Sequence, residues 1–195
     1  MKRVLAVVAA TALSVGLTTV ASATAPNLSR ELLSIDQMPT GWSVTNAGGA
    51  EGGLSGCLSP RIGIKPVASA KASVTFADGG NFPEVAEDLA TYGSASITTI
   101  KRGFATLITT LDHCRSATLN GKRTTLQIGQ MSFPQYGNQS AAFVLTFSVS
   151  GVNVAVDMVM ARVGTTMVAV LEADVTTVDV SQFRGFVVKA VAKVK

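Results

Sequence analysis

Few residues in this chain have the types and neighbours that chemistry asks for. The single histidine, His113, stands beside Cys114, one of only two cysteines. Catalysis by such a pair needs a free thiolate within reach of the imidazole. If Cys114 is bonded to Cys57, there is no thiolate to offer, and His113 reads as a helix-end residue interacting with the last carbonyls. Glu84, Glu87 and Asp88 form one acidic cluster. It lacks the glycine-turned loop from which a hard cation gathers its oxygens, so it reads as a solvated polar face. Asp157 stands in a strand whose other neighbours are apolar, and it either faces a ligand groove or pairs with Arg162 or another base of an adjacent strand. Trp42, Tyr92 and Tyr136 combine an apolar body with a polar tip, which suits the wall of a pocket for an amphipathic ligand. The plainer reading makes Trp42 core and Tyr136 a loop anchor. These three and Asp157 are the candidate ligand-binding set. No histidine–cysteine set has zinc spacing, and Gly48 to Gly53 lacks the lysine and hydroxyl of a phosphate loop. No catalytic residue, metal or cofactor is therefore expected.

The elements that must position these residues follow from periodicity. Ile97, Ile100, Phe104, Leu107, Ile108 and Leu111 recur at three- and four-residue steps, the mark of one apolar helical stripe from Ser94 to Arg115. Leu28 to Ile35 reads as a short helix stopped before Pro39, and Gly-Trp-Ser-Val as the entry to a first short strand. Asn46 to Gly56 holds five glycines and reads as a loop. Lys71 to Ala77 is an expected strand. Phe82 to Tyr92 fits both periods, with strand favoured for its second half. After the helix the period becomes two. Asn120-Gly121 signals a tight hairpin leading to a strand from Thr124 to Met131. Ser132 to Ser140 is a surface loop displaying Phe133 and Tyr136. Three long strands follow, Ala141 to Ser150, Val152 to Val163 and Thr166 to Asp174. The middle one is apolar on both faces and so needs cover on both. Asp179 and Gln182 form a capping box for a last helix with the stripe Phe183, Val187, Ala190, Val191 and Val194. The expected fold is α+β: a twisted antiparallel sheet of about six strands packed with a long central helix and a C-terminal helix.

Met-Lys-Arg, an apolar run from Val4 to Val20 and the small exit Ala21-Ser22-Ala23 make a secretory signal peptide. Residues 1–23 are expected to be removed, leaving 24–195 as one domain with no stable membrane anchor. Two cysteines in an exported chain pair readily, so a Cys57–Cys114 disulfide is expected, with free thiols as the alternative. Such a bridge stabilises by roughly 4 kcal/mol in the chain-entropy model. The formal net charge of +4 includes Lys2 and Arg3, and the remaining bases are scattered. That distribution excludes a nucleic-acid interface, which clusters its bases on one face.

Three stretches carry a resemblance: Val-Ala-Glu-Asp-Leu-Ala-Thr-Tyr-Gly-Ser, a helix ending Leu-Asp-His-Cys, and Met-Ser-Phe-Pro-Gln-Tyr-Gly-Asn-Gln-Ser-Ala-Ala. Gly-Val-Asn-Val-Ala-Val-Asp and Arg-Val-Gly extend it. In this order and spacing the chain resembles the actinobacterial exported sensor-like domains related to the ectodomain of the mycobacterial kinase PknH. The resemblance implies a twisted antiparallel sheet with helices forming a cleft, an extracytoplasmic location, a role in ligand sensing, and a structural role for Cys114. This sequence departs from the kinase in having no kinase domain and no transmembrane helix, and it has cysteines for one disulfide where two are expected. The functional expectation is a secreted, non-enzymatic ligand-binding module of the cell envelope. Its partner would be a small-molecule or cell-wall ligand. An interaction module for another exported protein, through Phe133 and Tyr136, is the alternative, and a hydrolase using Asp157 or the Glu84–Asp88 cluster is a remote one.

Overall fold

The computed structural model describes residues 27–46, 54–56, 68–79, 82–92, 97–119, 122–149 and 151–195. The expected signal peptide, most of the glycine-rich loop, the Ser94 cap, the Asn-Gly turn and Cys57 lie outside them. Nine strands and two α-helices are laid down in the order β1 (Trp42–Asn46), β2 (Leu54–Gly56), β3 (Ala70–Asp78), β4 (Glu84–Thr91), α1 (Ile97–Asp112), β5 (Ser116–Leu119), β6 (Lys122–Gln130), β7 (Gln139–Val149), β8 (Val152–Val163), β9 (Thr166–Asp174) and α2 (Val180–Lys193). The strands pair antiparallel in one sheet, ordered β1-β3-β4-β9-β8-β7-β6-β5-β2. Helix α1 carries the chain from β4 toward the far half of the sheet. The β5-to-β9 meander then returns to close against β4.

This corrects the expected fold in three respects. The sheet has nine strands, not about six: β2 and β5 are too short to show a period, and the strand expected for the second half of Phe82–Tyr92 fills all of Glu84–Thr91. Neither helix is central, since α1 and α2 pack on opposite faces of the sheet. Nor does a described tether hold α1 in place. Cys114 is buried and is not a free thiol, but Cys57 lies outside the described residues and no bridge between the two is described. What secures α1 is apolar packing of Ile100, Phe104 and Leu111 on Phe143, Leu145 and the β8 methionines. Gln130 Nε2 also donates to both Asp112 carboxylate oxygens at 2.9 and 2.8 Å, fixing the helix end to β6.

Alternation along β8 explains the layers. Val154, Val156, Met158 and Met160 face α1, while Val159 and Ala161 face α2 with Val168 and Val170 of β9 and Val85 and Leu89 of β4. On that second face Phe183, Phe186, Val187 and Ala190 of α2 complete the larger core. Asp179 caps α2 by accepting from the Ser181 and Gln182 amides. The expected first helix is instead two 3-10 turns, Leu28–Arg30 and Ile35–Gln37, the second closed by a Ser34–Gln37 capping box. Gly137 sits where a Cβ would come within 2.5 Å of the Arg162 carbonyl, at φ +60°, so only glycine fits that close approach.

Candidate functional site

Helix α2 covers β3, β4, β9 and part of β8, and it leaves the same face of β6 and β7 bare. Gln127, Val144, Thr146 and Asn153 are exposed there. At the border between covered and bare sheet stand two carboxylates. Asp157 of β8 lies directly opposite Glu172 of β9, and the next rung on that face pairs Ala155 with Asp174. Both carboxyls are buried, Asp157 4% and Glu172 1% exposed. Side chains directly opposite on neighbouring strands approach to roughly 5 Å, where like charges repel.

The expected pairing of Asp157 with a base is not what the structure shows. Asp157 and Arg162 are five positions apart, an odd offset, so the two point to opposite faces. Arg162 is occupied elsewhere: its Nε donates to Gln139 Oε1 at 2.8 Å and its Nη1 to the Gly164 carbonyl at 2.8 Å. The other strand neighbour of Asp157 is Val144. Glu172 Oε2 is buried with no hydrogen-bond partner. Burial, reinforced by the charges of Asp157, Asp179 and Asp174, pushes the Glu172 carboxyl up to about 8. Burial also raises Asp157 above the ordinary aspartate range.

The acidic cluster of β4 is likewise not a solvated face. Glu87 is 0% exposed, while Asp88 is exposed and Glu84 half-buried. Burial lifts Glu87 to about 7, opposed by the Leu33 amide that donates to its Oε2 and by the charge of Lys193. Lys193 Nζ donates to the Leu32 carbonyl and to Gln37 Oε1, and Lys189 Nζ donates to the Gln37 carbonyl at 2.8 Å. Glu87 and these lysines therefore stitch the N-terminal segment between β4 and α2.

The candidate binding residues do not converge. Trp42 is core, 8% exposed, with its ring 5.7 Å from that of Phe186. Tyr136 packs 5.8 Å from Phe133, which in turn lies 5.7 Å from Phe183 and under the Arg184 guanidinium. The 131–138 loop is thus folded onto α2, and Phe133 and Tyr136 are half-buried, not displayed. Tyr92 packs into the core on the α1 side. Asp157 alone borders open sheet. Sequence reasoning missed Glu172, although its place in step with Val168 and Val170 on an inward face was the available signal.

A second concavity of about 780 Å³ runs along the outer face of α1, lined by Arg102, Thr106, Thr109, Thr110, His113 and Arg115 among others. Its threonines and Arg115 are already engaged with backbone carbonyls. Thr106, Thr109 and Thr110 donate to carbonyls one turn back. Arg115, in the place expected of His113, donates to the Asp112 carbonyl at the helix end. His113 is exposed, and no three acidic, histidine or cysteine side chains among the described residues are placed to hold a metal.

A nine-stranded antiparallel sheet with one helix on each face and a bare patch beside the second defines the class of fold. A counterpart among solved structures is the extracellular domain of PknH from Mycobacterium tuberculosis. That structure superposes with a TM-score of 0.63 over 85% of this chain and 93% of that one, at 10% sequence identity. The likeness shows a PknH-ectodomain-like fold. No family model matches the chain, and no curated protein matches it.

Proposed function

We propose that this chain is a non-enzymatic, sensor-like ligand-binding domain that acts outside the cytoplasm, spanning 24–195 after loss of residues 1–23. The observation that carries the reading is the bare α2-side face of β6 and β7, bordered by Asp157 and Glu172, in a fold like that of a kinase's extracellular domain. A sheet face left uncovered beside buried unpaired acids offers what a ligand site needs: shape, some apolar surface and a few polar groups that fix orientation. Among the described residues no nucleophile–base pair accompanies it, which favours binding over turnover. Membership of the exported actinobacterial sensor-like family belongs to the same proposal.

The test is a thermal-unfolding screen of the secreted protein against fractionated envelope material and defined lipids and muropeptides. A ligand that binds only the native state raises the melting temperature. The expected outcome is a fraction that stabilises the protein and whose effect is weakened by Val144→Asp or Thr146→Trp on the bare face. Stabilisation by no fraction would overturn the reading.

A further inference from the structure

We propose that the acidic corner at the N-terminal end of α2 binds an organic dication carrying two primary ammonium groups. The inference deepens the ligand-binding reading above and rests on it. Its basis is geometric. Glu172 is 99% buried, and its Oε2 has no hydrogen-bond partner, a state that costs free energy unless something completes it. The residue directly opposite is another acid, Asp157. Among the described residues no base bonds either carboxyl, and Arg162 serves the opposite face. Asp174 and Asp179 stand at the rim, each engaged with backbone amides through one oxygen, Oδ1.

The chemistry of the occupant follows from what the corner excludes. Its carboxylates do not converge as a metal site requires. They are spread along β9 instead. Glu172 and Asp174 are two residues apart on one face, a rise of about 7 Å, which is the nitrogen-to-nitrogen span of a four- or five-carbon diamine. Ammonium donors suit this spacing because each places several N–H groups on separate oxygens. The bare side of the sheet supplies the approach: Val144, 38% exposed, neighbours Asp157 and offers apolar contact to the methylenes. Burial, reinforced by the neighbouring acids, holds Glu172 up to about 8, and burial raises Asp157 above its ordinary range. Binding therefore strengthens as pH rises and their protons leave.

The experiment is calorimetric titration and thermal unfolding of the full exported chain at pH 8 and fixed ionic strength. The probes are putrescine, uncharged 1,4-butanediol of the same length, and magnesium chloride. Putrescine at about a hundred times its Kd is expected to raise Tm by about 5 to 10 °C, with butanediol and magnesium inert. E172Q and D157N should each bind at least tenfold more weakly. Equal effects from butanediol or magnesium, or unchanged binding in both variants, would overturn the proposal. Should a variant fail to fold, the parent decides: putrescine affinity must rise about tenfold from pH 6 to pH 9, and a flat profile overturns it. If putrescine is inert while an envelope fraction stabilises the parent and both variants alike, this inference falls and ligand binding stands. If nothing stabilises the protein, both fall.

Discussion

At the scale of single residues, the sheet contains acids whose burial works against them. Glu172 is raised to about 8 and Glu87 to about 7, first by desolvation. A carboxyl whose folded pKa lies above its unfolded value binds more protons in the folded state. Its contribution to stability is therefore complete below about pH 4.5 and is lost as pH rises through 7 and 8. Stability should fall between pH 5 and pH 9. Glu172→Gln, which keeps the shape and removes the titration, should flatten that slope and raise stability at pH 8 by about 1 to 2 kcal/mol. Denaturant melts at pH 5, 7 and 9 check this. A variant whose pH profile overlays the parent's would show that Glu172 titrates normally. A gain of stability on deleting a charge is expected of a site kept for binding, not for folding.

At the scale of elements, the energetics sit in the faces of the helices. Phe186 is 2% exposed and packs on Trp42, so Phe186→Ala should cost about 3 to 5 kcal/mol. Two positions on, Val188 is 47% exposed, and Val188→Ala should change stability by less than about 0.5 kcal/mol. Urea titration of the two variants distinguishes a helix seated this way from one rotated on the sheet. Much at this level was legible beforehand. The stripe of α1, the meander β7-β8-β9 and the Asp179 cap all follow from local pattern. Phe186 escaped because Phe183 and Val187 alone already complete a narrow stripe, and only the breadth of the underlying core decides whether a third position is inside. Glu172 and Glu87 escaped for a different reason. An acid in an alternating strand reads as an outward residue, although Glu172 keeps step with Val168 and Val170 and Glu87 with Val85 and Leu89, on the face that packs toward α2. Asp157 stands out in the sequence as an acid among apolar neighbours, but the acid opposite it follows only from the register.

At the scale of the whole molecule, the sheet likeness to the PknH extracellular domain persists at 10% identity, so topology and not shared side chains is what the two have in common. A fold can be kept while its site is rebuilt, and the acid corner consists of this chain's own side chains. Among the described residues no helix is long and apolar enough to cross a membrane. The stitching of residues 32–37 to α2 has a kinetic consequence. Its hydrogen bond from Lys193 to the Leu32 carbonyl spans 161 positions, and contacts of such separation repay their loop-closure entropy only after the intervening sheet exists. Docking of the leading segment is thus expected late in folding. In pulse-labelled refolding the Leu33 amide, which donates to Glu87, should gain protection after the amides of β7 to β9. Protection of Leu33 in the earliest phase would mean that the two ends of the domain meet first and the sheet grows between them.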